Sequence, residues 1–240
     1  MSIQARYALV FAPRRTSAWG RFGARWLGRD AASGEPADQI AVAGIAPEAF
    51  RALTAAPRAY GFQASLTAPF ALRAGATREG LAEALAAFCS RRAPFPLPPL
   101  AVERLDDFLA VVPAGRESRI NDLAADCVRE FDAFRAPLEA AERERYGRRG
   151  LSPRQDRYLA QWGDPHVLAE FRFHFALTGS LDAAPPHQVA ALITAARDAI
   201  AGLGTTPLGV DAVSLLEQAD PAGPFRLIRR FPLGARRRRA

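Results

Sequence analysis

Residues 62–67 read FQASLT and residues 173–178 read FHFALT. Phe, Leu and Thr match in register across the 111 residues that separate the two segments, and each precedes a helical pattern. Side chains alternate across a β-strand, so each segment divides into two faces. In the first, Phe62, Ala64 and Leu66 share one face with Phe70, and Gln63, Ser65 and Thr67 take the other. In the second, Phe173, Phe175 and Leu177 form the apolar face, opposite Arg172, His174, Ala176 and Thr178. Each strand thus offers a polar strip with a hydrogen-bonding side chain at one end and Thr at the other. If a pseudo-twofold axis relates the two halves, the strips face one cleft. Such a cleft suits a phosphate group: hydroxyls and an amide donate to its oxygens, and a histidine exchanges a proton. On the same face, Arg172 is a candidate for bidentate pairing with phosphate.

Working outward, mixed α/β units flank both segments. Residues 6–12 and 60–72 read as strands, 17–27, 47–55 and 77–91 as helices, and 29–38 as a polar loop. Trp19, Phe22 and Trp26 form an apolar helix stripe, and Thr77 is an N-cap candidate. Four Pro within residues 94–99 forbid a helix there. Residues 102–113 suggest a hairpin about Asp106-Asp107. Helices are expected over 117–134, 137–146, 152–163 and 188–203, and strands over 171–181, 208–217 and 225–233. Tyr60 is expected in the core, His166 in a turn after Pro165 and His187 in solvent. Cys89 and Cys127 read as reduced core thiols.

Composition narrows the function classes. The 240 residues carry 32 basic side chains, all Arg, against 25 acids, and 51 Ala, a bias of GC-rich coding. The net charge of +7 is local, because no acid follows Asp220 and seven Arg lie in residues 221–240. A neutral body argues against a nucleic-acid-binding face, which wants basic residues spread over one surface. No segment approaches the roughly 18–20 apolar residues of a membrane span. The start, MSIQARYALVFAP, reads as a first strand and not as a signal peptide. A cytoplasmic protein is expected, with one domain over residues 1–235 and a disordered Arg-rich tail over 236–240.

The segments RYALVFAP, RFGARWLGRD (21–30), APRAYGFQASLTAPF (56–70), APFPLPPL (93–100), FDAFRAPL (131–138), GLSPRQ (150–155), EFRFHFALTGSL (170–181) and PFRLIRRFPL (224–233) resemble a bacterial phosphonate metabolism protein family encoded beside carbon–phosphorus lyase genes. That family falls within the two-histidine (2H) phosphoesterase superfamily, whose signature is a pair of His-x-Thr/Ser strands. The resemblance implies an α+β, bilobed fold: two small antiparallel sheets with outer helices, related by a pseudo-twofold axis, the motif strands lining a central groove. It also implies cyclic phosphodiesterase chemistry without cofactor or metal. One His acts as general base and the other protonates the leaving oxygen, while the Thr or Ser hydroxyls hold the phosphoryl oxygens. Ribose cyclic phosphates are natural candidate ligands.

This chain departs from the signature. The first motif reads Gln63-Ala64-Ser65, and the second keeps His174 but has Ala176 at its hydroxyl position. Gln63 can donate an N–H but cannot exchange a proton near pH 7. The expected site is therefore His174 and Gln63 at the chemistry, with Ser65, Arg172, Thr67 and Thr178 holding ligand. Losing one partner of an acid–base pair costs about 10²–10⁴-fold in rate. Three readings follow: a 2H-type phosphoesterase on a small cyclic phosphodiester, with His166 a relocated proton donor in one variant; a catalytically impaired binder of such a ligand; and, less favoured, an RNA-end-binding or processing protein.

Overall fold

The computed structural model describes residues 4–115, 118–147, 150–204 and 207–234. The anticipated Arg tail lies outside the described residues. Among them, eight α-helices accompany small, wholly antiparallel sheets.

The first half runs β1 (Arg6–Phe11), α1 (Ala18–Leu27), α2 (Pro47–Leu53), α3 (Ala55–Tyr60), β2 (Ala64–Ser65), β3 (Phe70–Ala71), α4 (Arg78–Ser90) and β4 (Phe95–Pro96). The hairpin strands β5 (Leu100–Leu105) and β6 (Phe108–Pro113) follow, then α5 (Ser118–Phe131), α6 (Ala140–Gly147) and α7 (Pro153–Trp162). The chain closes with β7 (Phe175–Ala176), α8 (Pro186–Ala201), β8 (Gly209–Val210), β9 (Ala212–Gln218) and β10 (Arg226–Pro232). One sheet has the order β10-β9-β1-β2, with β3 also on β1. A second is β5-β6-β7, and β4 pairs with β8. The last strands of the chain therefore complete the sheet of the first half.

Most expected elements form for the reasons anticipated. Ser17 and Thr77 accept the amides of Gly20 and Gly80, each at 3.0 Å. Ser152 and Gln155 make a reciprocal capping box, and Gly163 ends α7 at φ 73°. Three differences have physical causes. The span 55–60 is helical, with Pro57 tolerated in the first turn, where its missing N–H has no partner to lose. The strand expected over 60–72 is broken between β2 and β3, where Pro69 has no donor to offer β1. The strand expected over 208–217 splits at Asp211, whose carboxylate faces Arg14 (2.8 Å) and Arg230. At the sheet edge, β10 carries Arg226, Arg229 and Arg230, and its register against β9 shifts between Leu227 and Arg229.

The core brings the two motif segments together by their apolar faces. Phe62 stacks on Phe175, with centroids 4.7 Å apart and rings 11° from parallel, and Phe11 meets Phe175 edge-on at 5.9 Å. Burying each such ring contributes roughly 1.5–3 kcal/mol. Helix α1 closes over them. A side chain at Gly23 would put its Cβ 2.1 Å from Phe62, so the helix needs glycine there to come so near. The fully buried Trp26 donates its indole N–H to Leu177 O at 2.9 Å, pinning α1 to the second motif segment. Cys89 and Cys127 are free and buried, as expected, and burial pushes the Cys89 thiol up to about 11. Among the described residues no helix is long and apolar enough to cross a membrane.

Candidate functional site

The same local pattern builds both polar strips. In the first half, Leu9 O accepts the amides of Leu66 (2.8 Å) and Thr67 (3.1 Å), and Leu9 N–H donates to Thr67 Oγ1 at 3.1 Å. In the second, Leu109 O accepts the amides of Leu177 (2.8 Å) and Thr178 (3.3 Å), and Leu109 N–H donates to Thr178 Oγ1 at 3.0 Å. In each case the threonine hydroxyl supplies the acceptor that the end of a short strand no longer provides, so a buried amide is not left orphaned. This is the physical content of the paired Phe-x-x-x-Leu-Thr pattern.

With their apolar faces packed on each other, the two segments turn Gln63, Ser65, His174, Ala176 and Thr178 onto one cavity of about 320 Å³. Gln63 Nε2 donates to Ser65 Oγ at 3.2 Å, a contact between two cavity-lining side chains that a ligand can replace. His174 is held more firmly. Its Nδ1 lies 2.8 Å from Arg172 O. A carbonyl can only accept, so the neutral ring carries its proton on Nδ1 and leaves Nε2 as a bare acceptor. Burial lowers the His174 pKa below its ordinary value. The Arg172 carbonyl opposes that shift, and the nearby His166 charge adds to it. Near neutral pH the ring is therefore an uncharged base.

The other anticipated residues fall as follows. Thr67 is buried and spends its hydroxyl on Leu9, away from this cavity, and Thr178 borders the cavity while holding Leu109. Arg172 is exposed, and it is its carbonyl, not its guanidinium, that meets the site. His166 is exposed and does not line the cavity, its amide donating to Asp164 Oδ1 at 2.9 Å. His187 is exposed. Tyr60, expected in the core, is half-buried: its ring stacks on Phe225 at 4.6 Å and it also lines the cavity. Among the described residues no group of three or more His, Cys, Asp or Glu is placed to hold a metal ion.

Sequence reasoning missed Phe108, whose ring lies 5.4 Å from His174. Its signal was present in the register. Ala110 faces Ala176 across β6 and β7, so the residue two before Ala110 shares the cavity face. Gly179 and Ser180, which follow the second motif, and Ala56 and Pro57 of α3 complete the rim.

The profile of the family described as "Protein of unknown function (DUF1045)" matches residues 65–226. The chain is 38% identical over 236 residues, 98% of its length, to a protein of Janthinobacterium sp. (strain Marseille) named "Ribose 1,5-bisphosphate phosphokinase PhnN". It is 34% identical over 224 residues, 93% of its length, to a protein of the same name from Laribacter hongkongensis (strain HLHK9). The chain spans about half the length of these relatives, 52% and 51% respectively.

Proposed function

The chain belongs to the DUF1045 family, and from that premise we propose that it is a 2H phosphoesterase-like protein that takes a small cyclic phosphodiester or ribose phosphate as ligand in phosphonate metabolism. The observation that carries this reading is the convergence of Gln63 and Ser65 from one segment, and His174 and Thr178 from the other, on one cavity. The matched hydrogen bonds of Leu9 with Thr67 and Leu109 with Thr178 support a pseudo-twofold relation between two lobes of one domain.

The roles follow from the groups. His174 Nε2 accepts the proton of an attacking water or hydroxyl. Gln63 Nε2 and Ser65 Oγ donate to phosphoryl oxygens, Ser65 turning from its neighbour to do so. Gln63 cannot protonate the leaving alkoxide as a second histidine would, so turnover is slow and ligand binding dominates. The departure at Gln63 and Ala176 thus favours the catalytically impaired binder over an efficient esterase.

The relatives' name bears on the ligand, not on the activity of this chain. With no lysine anywhere, the sequence holds no GxxxxGK[S/T] phosphate loop, so we assign no P-loop kinase chemistry to this chain. A domain joined to a kinase named for ribose 1,5-bisphosphate suits a ligand one step away. Water opening a 5-phosphoribosyl 1,2-cyclic phosphate at its P–O2 bond leaves ribose 1,5-bisphosphate. We propose a cytoplasmic setting for this work.

The test is calorimetric binding and phosphorus NMR turnover with ribose 1,2-cyclic phosphates and 2′,3′-cyclic nucleotides, on wild type and His174→Ala. Binding that the substitution weakens, or turnover that it abolishes, supports the reading. Failure of wild type to bind any of these ligands overturns it.

A further inference from the structure

Beneath the wall of the cavity that carries Tyr60 and Gln63 lies a buried arginine that the proposed chemistry does not use. Arg29 is only 7% exposed. Its guanidinium donates to Phe225 O at 2.6 Å, and to Arg58 O and Ala59 O at 3.3 and 3.5 Å. Asp30, next in sequence, is ion-paired to Arg15 at 3.0 Å. A cation taken out of water costs several kcal/mol unless its donors are met. Here carbonyl oxygens meet them, from Phe225 and from Arg58 and Ala59 in the last turn of α3, where Arg58 O also accepts Gly61 N–H at 3.3 Å.

The three segments that Arg29 joins also touch one another. Phe225 N–H donates to Ala59 O at 2.8 Å, and the Phe225 ring lies under Tyr60. Gly61, at φ 79°, leaves no room for a Cβ, which would stand 2.3 Å from that of Ala31. The end of α3, the 29–31 loop and the start of β10 therefore form one junction, and Tyr60, Gly61 and Gln63 emerge from it into the cavity.

We propose that Arg29 is a positioning residue of this site: by clamping the end of α3 to Phe225 it sets where Tyr60 and Gln63 stand relative to His174. The inference rests on the reading of the cavity as a ligand site, and it concerns the first-half wall alone. The second-half wall is held by its own bonds, from Leu109 to Leu177 and Thr178, which the Arg29 side chain does not make.

The test uses Arg29→Met, which keeps most of the apolar stem and removes the donors, Arg29→Lys, which keeps the charge, and Leu192→Ala, a remote core control. Amide hydrogen exchange is read at Gly61 and Phe225 against Leu177 and Thr178, and affinity is read with ribose 1,2-cyclic phosphate. In Arg29→Met, exchange at Gly61 and Phe225 accelerates tenfold or more beyond that at Leu177 and Thr178. Its Kd rises about tenfold, and Arg29→Lys falls between it and wild type. Leu192→Ala, at equal loss of thermal stability, leaves Kd within twofold. Uniform acceleration at all four amides overturns the proposal, as does an affinity loss in Leu192→Ala equal to that in Arg29→Met. If wild type binds no cyclic phosphate, the functional reading fails, and the exchange pattern still decides whether Arg29 orders this wall.

Discussion

Restoring the missing groups, with Gln63→His and Ala176→Thr together, is expected to convert a slow or silent site into an active one. Both positions line the cavity that holds His174, Ala176 from β7 and Gln63 from the residue just before β2. The cost in stability is small. Gln63 gives up a 3.2 Å hydrogen bond to the exposed Ser65, worth about 0.5–1.5 kcal/mol. Ala176 is only half-buried, so a hydroxyl there keeps access to solvent or ligand. The gain is a proton donor on the side of the cavity opposite His174. General acid catalysis contributes about 10²–10⁴-fold, which at ~1.36 kcal/mol per decade lowers the barrier by roughly 2.7–5.4 kcal/mol. Turnover of ribose 1,2-cyclic phosphate, followed by phosphorus NMR across pH 5–9, should rise by that factor in the double variant and acquire a bell-shaped profile, because two groups of opposite protonation are then needed. A double variant that folds with unchanged melting temperature, binds the ligand as wild type does and shows no gain would refute the reasoning.

Other expectations follow from the same geometry. Thr178→Val keeps the shape but leaves Leu109 N–H without its 3.0 Å acceptor, so it should lower stability by about 1–3 kcal/mol in chemical denaturation. Thr67→Val should do the same through Leu9, and an effect below about 0.5 kcal/mol in both would remove the strand-end role assigned to the threonines. Gly23→Ala places a Cβ 2.1 Å from Phe62 and should destabilise by about 1–3 kcal/mol despite its better helix propensity; a higher melting temperature would contradict the packing. Burial depresses the His174 pKa, so between its native and its unfolded value the unfolded state binds more protons. The corresponding stability is fully present above the unfolded value of about 6.5 and is lost as pH falls through the native one. Proton NMR of the three histidines, with His174→Gln for assignment, should show this ring titrating below the ordinary histidine value.

The sequence made the alternation of FQASLT and FHFALT legible because period-two patterning needs no tertiary information. It placed Phe62 and Phe175 inward, and Gln63 and His174 on the opposite faces, as found. Capped helices were equally readable, since Ser17, Thr77 and Ser152 act on amides three residues away. What failed depended on distant partners. Arg172 looked like a phosphate ligand from its face, yet neighbouring chain leaves its side chain in solvent and uses its carbonyl to fix His174. Nothing local announced that Leu9 and Leu109 would donate to the threonine hydroxyls, which holds Thr67 away from the cavity and leaves Thr178 at its border. Phe108 escaped because its place follows only from the pairing of β6 with β7.

The shifted register of β10 has a consequence for how copies of this molecule meet. An outer strand with open amides and carbonyls is a template on which a second copy could add its own strand. Here the irregularity between Leu227 and Arg229 breaks the spacing such an addition needs, Leu227 N–H already donates to Ala31 O at 3.4 Å, and the exposed Arg226 and Arg229 add like charge to the same edge, whereas Arg230 is taken up by Asp211. Part of the excess basic charge near the end of the chain, at Arg226 and Arg229, therefore stands where natural edge strands carry charge that discourages pairing with a second copy.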